Sequence, residues 1–223
     1  MKHHAKCASR ATAFTFVASV AALGLFVPAT VSAQTARDKV EAAGVAKKVE
    51  KARHAGERAE KEAQEALKDF RKEVAKYERL HAMQLARLGT RDPALVQEAM
   101  ARAIVSKRDD AEPGDIFERD VQPLFRSLIA EQLQGPDTAA AREAVGEGNP
   151  TEEGSPPVLV RVNAAYPAGA SRSTVPPSLL LALPPLPACL QYLFVGRDLI
   201  LVDSVAQIIV DFLPTAAPAQ VSR

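Results

Sequence analysis

Few side chains in this chain of 223 residues could carry chemistry: His54, His81, Cys189 and the carboxylates Asp198, Asp203 and Asp211. A transition-metal site needs His, Cys or carboxylate groups converging within about 2.3 Å of one ion. His54 and His81 stand 27 positions apart on a stretch that reads as one helix, hence roughly 40 Å apart at 1.5 Å rise per residue. Both read as solvated surface histidines, and no metal-ligand set is expected. Nucleophilic chemistry lacks its usual patterns: there is no G-x-S-x-G elbow, no H-E-x-x-H and no phosphate-cradling glycine loop, and Cys189 has no histidine near it in sequence. Asp203 and Asp211 close consecutive predicted strands and could meet as an acid–base pair, although such residues more often cap turns or face water. No catalytic residue and no cofactor is therefore expected.

The address of the chain is easier to read. Lys2, Lys6 and Arg10 give a basic start without an acid, Ala13–Val27 is almost wholly apolar, and Pro28 precedes the small-residue pattern Val31-Ser32-Ala33. That order matches a secretory signal peptide cleaved after Ala33. The apolar run of about 15 residues is short of the roughly 20 that span a bilayer; an uncleaved anchor is the competing reading. A periplasmic or secreted protein is expected, starting at Gln34. Loss of the leader leaves 25 basic and 27 acidic residues, since three of the 28 basic and none of the 27 acidic residues leave with it. Such a balance gives no field for nucleic acid. Cys7 leaves too, making Cys189 the sole thiol: a small buried hydrophobe beside a proline-rich turn, or half of a bridge between chains.

The elements follow from composition. Residues 34–89 contain no proline and place small or apolar residues at Val45, Val49, Ala52, Ala55, Ala59, Ala63, Ala66, Phe70, Val74, Tyr77 and Leu80, predicting one long amphipathic helix. Alanine makes good helix but buries little area, so the stretch before Leu67 is expected to be exposed or mobile and the later part to pack. Glu57 and Lys61 form a favourably oriented i,i+4 pair. Residues 90–148 predict further helices. Asp92-Pro93 is a capping side chain followed by proline at the first helical position. Phe117, Val121, Leu124, Phe125, Leu128, Ile129 and Leu133 form the strongest amphipathic stripe, closed by Gln134-Gly135-Pro136-Asp137, and a short helix is expected over Thr138–Val145.

Residues 149–214 turn proline-rich and read as strand: Val158–Val162 alternates, Gln191–Val195 and Leu199–Asp203 flank Gly196-Arg197 as a type II′ hairpin, and Ile208–Leu213 follows. Ser178–Leu183 reads as a turn of helix on the sheet, and residues 215–223 as a disordered tail. The fold class expected is α+β, a long N-terminal helix and a helical region followed by a small antiparallel β meander.

Leu183-Pro184-Pro185, Tyr192, Val195-Gly196-Arg197-Asp198, Leu201-Val202 and Ile208–Val210 occur in an order that resembles the C-terminal β module of RcnB-like periplasmic proteins. A broader likeness from about Asp115 onward, carried by Asn163-Ala164-Ala165-Tyr166-Pro167, Pro176-Pro177, Leu179-Leu180, Phe194, Gly196–Leu199 and Val210-Asp211-Phe212, is to an uncharacterised secreted bacterial protein family. Leu193 stands where an arginine is usual, and the glycine of the RcnB-like third turn is absent. The resemblance implies the β module and the compartment. RcnB-like proteins are associated with nickel and cobalt homeostasis, so a metal-homeostasis accessory is the alternative to a non-enzymatic structural or protein-binding role.

A ligand or partner surface, if one exists, is expected at Asn163, Tyr166, Arg197 and Asp198, polar and aromatic groups beside tight turns; each could equally serve only to shape its turn. The long helix offers a coiled-coil strand for a second copy or an envelope partner, packing against its own domain, or contact with a membrane surface, for which its alanine stripe is poorly suited.

Overall fold

A proline-free stretch that changes midway from alanine to bulky side chains sets the architecture. The computed structural model describes residues 31–134, 138–150 and 156–219. The leader through residue 30 and the glycine-proline stop at 135–137 lie outside the described residues. Helix α1 runs Val31–Arg87. The chain divides into two units, Met1–Ala52 and Arg53–Arg223; of the first, only the opening part of α1 is described, and the core belongs to the second. Every side chain from Lys47 to Glu62 is exposed. Burial begins at Ala66 and continues through Phe70, Val74 and Tyr77, where alanine gives way to larger groups.

The exposed stretch carries ion pairs along its own surface, Arg53–Glu57 at 3.8 Å and Lys61–Glu65 at 3.9 Å, each worth a few tenths of a kcal/mol. Glu57 turns back to Arg53 and His54, about two helical turns before Lys61, the lysine expected to pair with it.

Helix α2, Pro93–Lys107, starts where Asp92 accepts a hydrogen bond from the Ala94 N–H at 3.0 Å. Helix α3 spans Gln122–Leu133, α4 Ala139–Gly146 and α5 Pro177–Ala182. Phe117 and Val121 precede α3, yet both are buried with its Phe125 and Ile129. Phe117 reaches the core from a turn held by Asp211 and Val121 from one closed on the Glu118 carbonyl. Phe70, Phe117 and Phe125 form an aromatic cluster with centroids 4.9–5.8 Å apart, and Tyr192 of the sheet joins it at 6.2 Å.

The sheet is a meander, β1 (Leu190–Val195), β2 (Asp198–Asp203) and β3 (Ile209–Leu213), in the order β1-β2-β3 and antiparallel throughout. Val195 pairs with Asp198, leaving two turn residues. Of these only Gly196 has positive φ, 59°, as a II′ turn requires. Both faces are covered. Tyr192, Phe194, Leu199 and Leu201 face the helices, whereas Leu193, Val195, Ile200, Val202 and Ile209 pack under Tyr166, Val158 and Val160.

Val158–Val162 forms no strand. Val158 and Val160 lie against the sheet, but the chain reaches β3 only after Val162, through the isolated bridge Ala165–Ile208, hydrogen bonds from the Asn163 and Tyr166 N–H groups to the Ile209 and Gln207 carbonyls, and one from the Ile209 N–H to the Ala164 carbonyl. Asn163, at φ 64°, turns the backbone out of the extended path before a ladder can form.

The outer edge of β1 is closed by side chains. Ser173 both donates to the Phe194 carbonyl and accepts from its N–H; Asn149 does the same at Gly196. Gly148 makes that approach possible: a Cβ there would lie 2.5 Å from the Arg172 carbonyl oxygen, at φ 68°. Residues placed in the expected tail are ordered at its start. The Thr215 N–H donates to Asp198, and Arg197 and Ala217 exchange two hydrogen bonds. Residues 220–223 lie outside the described residues.

Candidate functional site

Tyr77 and His81 are one turn apart on α1, so both point from the same face. That face meets the end of β2. The Tyr77 hydroxyl donates to Asp203 Oδ2 at 2.7 Å, and His81 Nδ1 lies 2.6 Å from the same oxygen. The other oxygen, Oδ1, accepts from the Val205 and Ala206 N–H groups at 2.8 and 2.7 Å. Asp203 is fully buried and His81 nearly so, which overturns the reading of His81 as a solvated residue. His54 is exposed and paired with Glu57. Burial alone would push the Asp203 carboxyl up, but the bonds from His81, Ala206 and Tyr77 outweigh it and hold the group below the usual carboxylate range. An ionised carboxylate only accepts, so His81 Nδ1 carries the proton. Burial, then the Asp203 charge, pushes the Tyr77 phenol well above its ordinary value.

Asp211, within β3, is equally buried. It accepts from four backbone N–H groups, those of Gly114 and Phe212 on Oδ1 and of Ile116 and Phe117 on Oδ2, at 2.7–2.8 Å. Burial pushes its carboxyl up, and the four donors pull it back incompletely. Asp203 and Asp211 therefore serve different loops and share no partner; neither faces water. Arg108 supports the same region. Its guanidinium lies 5.4 Å from the Tyr77 ring centroid, donates to the Val210 carbonyl at 3.0 Å and stands 3.9 Å from Asp115. An open cavity of about 510 Å³ is lined by Tyr77, Lys76, Arg108, Asp115 and Glu118.

The four residues picked from sequence are not gathered into one surface. Asn163 and Tyr166 lie against the start of β3, while Arg197 and Asp198 occupy the β1–β2 turn. These places are at opposite ends of β2, roughly 17 Å apart at 3.3 Å per residue. Asn163 donates to the Arg108 carbonyl. Tyr166 donates to the Ser171 carbonyl, with Arg172 over its ring at 5.2 Å. Arg197 and Asp198 hold the segment 215–217. Tyr166 does line a shallow groove of about 430 Å³ with Arg172 and Gln207, which are hydrogen-bonded to each other.

Cys189 is half-buried and reduced, and burial followed by the charges of Asp203 and Glu78 pushes its thiol up to about 11. A thiol that is protonated at neutral pH is a poor nucleophile. Its alkylation by iodoacetamide should be slow at pH 7.5 and keep accelerating past pH 10. A rate that levels off by about pH 9.5, as expected for a free cysteine of pKa about 8.5, would contradict this environment.

Beside the exposed stretch of α1 runs a groove of about 680 Å³ whose apolar side chains are Ala59, Ala63, Ala66, Val121, Pro123 and Leu124, and whose charged side chains are Glu62, Glu65, Asp69, Glu118, Arg119 and Asp120. Among the described residues no group of three or more His, Cys, Asp or Glu could hold a metal ion, and no helix is long and apolar enough to cross a membrane. No family model, curated protein or solved structure matches the chain.

Proposed function

We propose that this protein is an exported, non-catalytic envelope component that acts by binding, and that the exposed stretch of α1 is its binding element. One observation carries this reading. The 16 residues Lys47–Glu62 are helical and wholly exposed, while the later part of the same helix is built into the core. Isolated helix is marginal in water, so a stretch that adds nothing to its own core gains from a surface to pack on. The absence of catalysis is supported by the use of the buried carboxylates: Asp203 and Asp211 are occupied by Tyr77, His81 and backbone donors. Export is supported by the basic start, apolar run and Val31-Ser32-Ala33 pattern.

The test places a photo-reactive side chain at Val49 (62% exposed) or, as a control elsewhere, at Leu181 (88% exposed) and irradiates living cells. Adducts should form at Val49 and not at Leu181. Equal adducts at both positions, or none at Val49, would overturn the reading.

A further inference from the structure

We infer, resting on the binding role of α1, that its occupant is a second copy of the chain, laid antiparallel so that the basic stretch of each helix seats in the acidic groove of the other. The charges divide along the helix. Lys47–Arg58 holds five basic residues, Lys47, Lys48, Lys51, Arg53 and Arg58, against Glu50 and Glu57. The groove that begins at Ala59 offers five carboxylates and one arginine.

The spacing fixes a register. Val49, Ala52, Gly56, Ala59, Ala63 and Ala66 follow one another at intervals of 3, 4, 3, 4 and 3, the a/d rhythm of a coiled coil. Placing Gly56 opposite Ala59 of an antiparallel copy stacks Ala52 on half-buried Ala63 and brings Val49 to the groove end at Ala66, whose own side chain is buried in its core. Every layer is then small and apolar. Val49, otherwise exposed, enters the end of the groove near Val121 and Leu124. In that register the flanking positions bring Arg53 beside Glu60 and Lys48 beside Asp69, and the two-fold axis repeats each pair. A parallel, in-register pair would instead set Lys48 against Arg53 and offer no attraction in return. The charge pattern thus selects the antiparallel arrangement. Arg53 already bonds Glu57 on its own helix, but both are more than half exposed, and solvated ion pairs of this kind contribute little.

The experiment uses the full mature chain with Cys189→Ser throughout. Mixing Ala52→Cys with Ala63→Cys under mild oxidation should give mainly the mixed disulfide, because these positions face each other only in the antiparallel register. Sedimentation equilibrium should show a concentration-dependent dimer. Arg53→Glu and Glu60→Arg should each weaken it about tenfold, since each converts two symmetry-related attractions to repulsions, and the double variant should restore it. Both positions are exposed, so the variants stay folded, which circular dichroism checks. A monomer at every concentration, a dominant Ala52→Cys homodisulfide, or a double variant as weak as the singles would overturn the inference. A monomer that is photo-crosslinked at Val49 to a different protein would remove the second copy while leaving the binding role of α1 standing.

Discussion

Asp211→Ala should lower folding stability by about 4 kcal/mol, since it strips four backbone donors of this acceptor, two of them fully buried and two partly so, and each buried unpaired group costs roughly 1–3 kcal/mol. The donors at Gly114, Ile116 and Phe117 belong to the turn that delivers Phe117 to the aromatic cluster, so packing is lost with the hydrogen bonds. Asp211→Asn separates the two contributions. Whichever way the amide is turned, its NH₂ faces a pair of N–H groups, because each carboxylate oxygen accepts from two. Removing the buried charge offsets part of that loss, as the upward push on the Asp211 carboxyl indicates. The asparagine variant should therefore fall between wild type and alanine, by denaturant unfolding. An alanine variant within 1 kcal/mol of wild type would mean that the 114–117 turn is held by something else.

Asp203→Ala should be comparably severe, about 4 kcal/mol, as expected when one partner of a buried charged network is removed. It leaves the Tyr77 hydroxyl, His81 and two N–H groups without their acceptor and loosens α1 from the end of β2. Its pH dependence has a definite sign. The folded Asp203 carboxyl is held below its ordinary value, so its stabilisation is present above the unfolded value, about 3.9, and is lost as pH falls through the folded value. Asp211, pushed the other way, favours the fold as it takes up a proton and cannot produce acid sensitivity. The stability gap between wild type and Asp203→Asn should thus shrink below pH 4 and be constant from pH 5 to 7 as far as this carboxylate is concerned. A gap that widens on acidification would contradict the assignment.

What the sequence displayed and what it concealed divide by the range of the interactions. The Asp92-Pro93 cap, the Gly196-Arg197 turn and the change from alanine to bulky residues near Leu67 are local, and the structure follows them. The α+β architecture came from the same signals. The Val158–Val162 alternation correctly marks which side chains cover the sheet, but side-chain period says nothing about where backbone hydrogen bonds go, and Asn163 diverts them. Asp203 and its α1 partners are more than 120 residues apart. Two polar groups at i and i+4 in an otherwise apolar stripe, Tyr77 and His81, were the one available hint that a buried acceptor awaited them. Asp211 gave none, because three of its four partners are backbone atoms about 95 residues earlier. The four residues chosen for standing beside tight turns bond to other segments: Asn163 to the Arg108 carbonyl, Tyr166 to that of Ser171, and Arg197 and Asp198 to residues 215–217.

Hydrogen exchange along α1 in dilute solution tests the division of the helix most directly. Amides between Ala66 and Arg87 should exchange only with global unfolding, and those between Lys47 and Glu62 orders of magnitude faster through local opening. Uniform protection from Lys47 to Arg87, or rapid exchange around Tyr77 and His81, would show that the helix is not half core and half free surface.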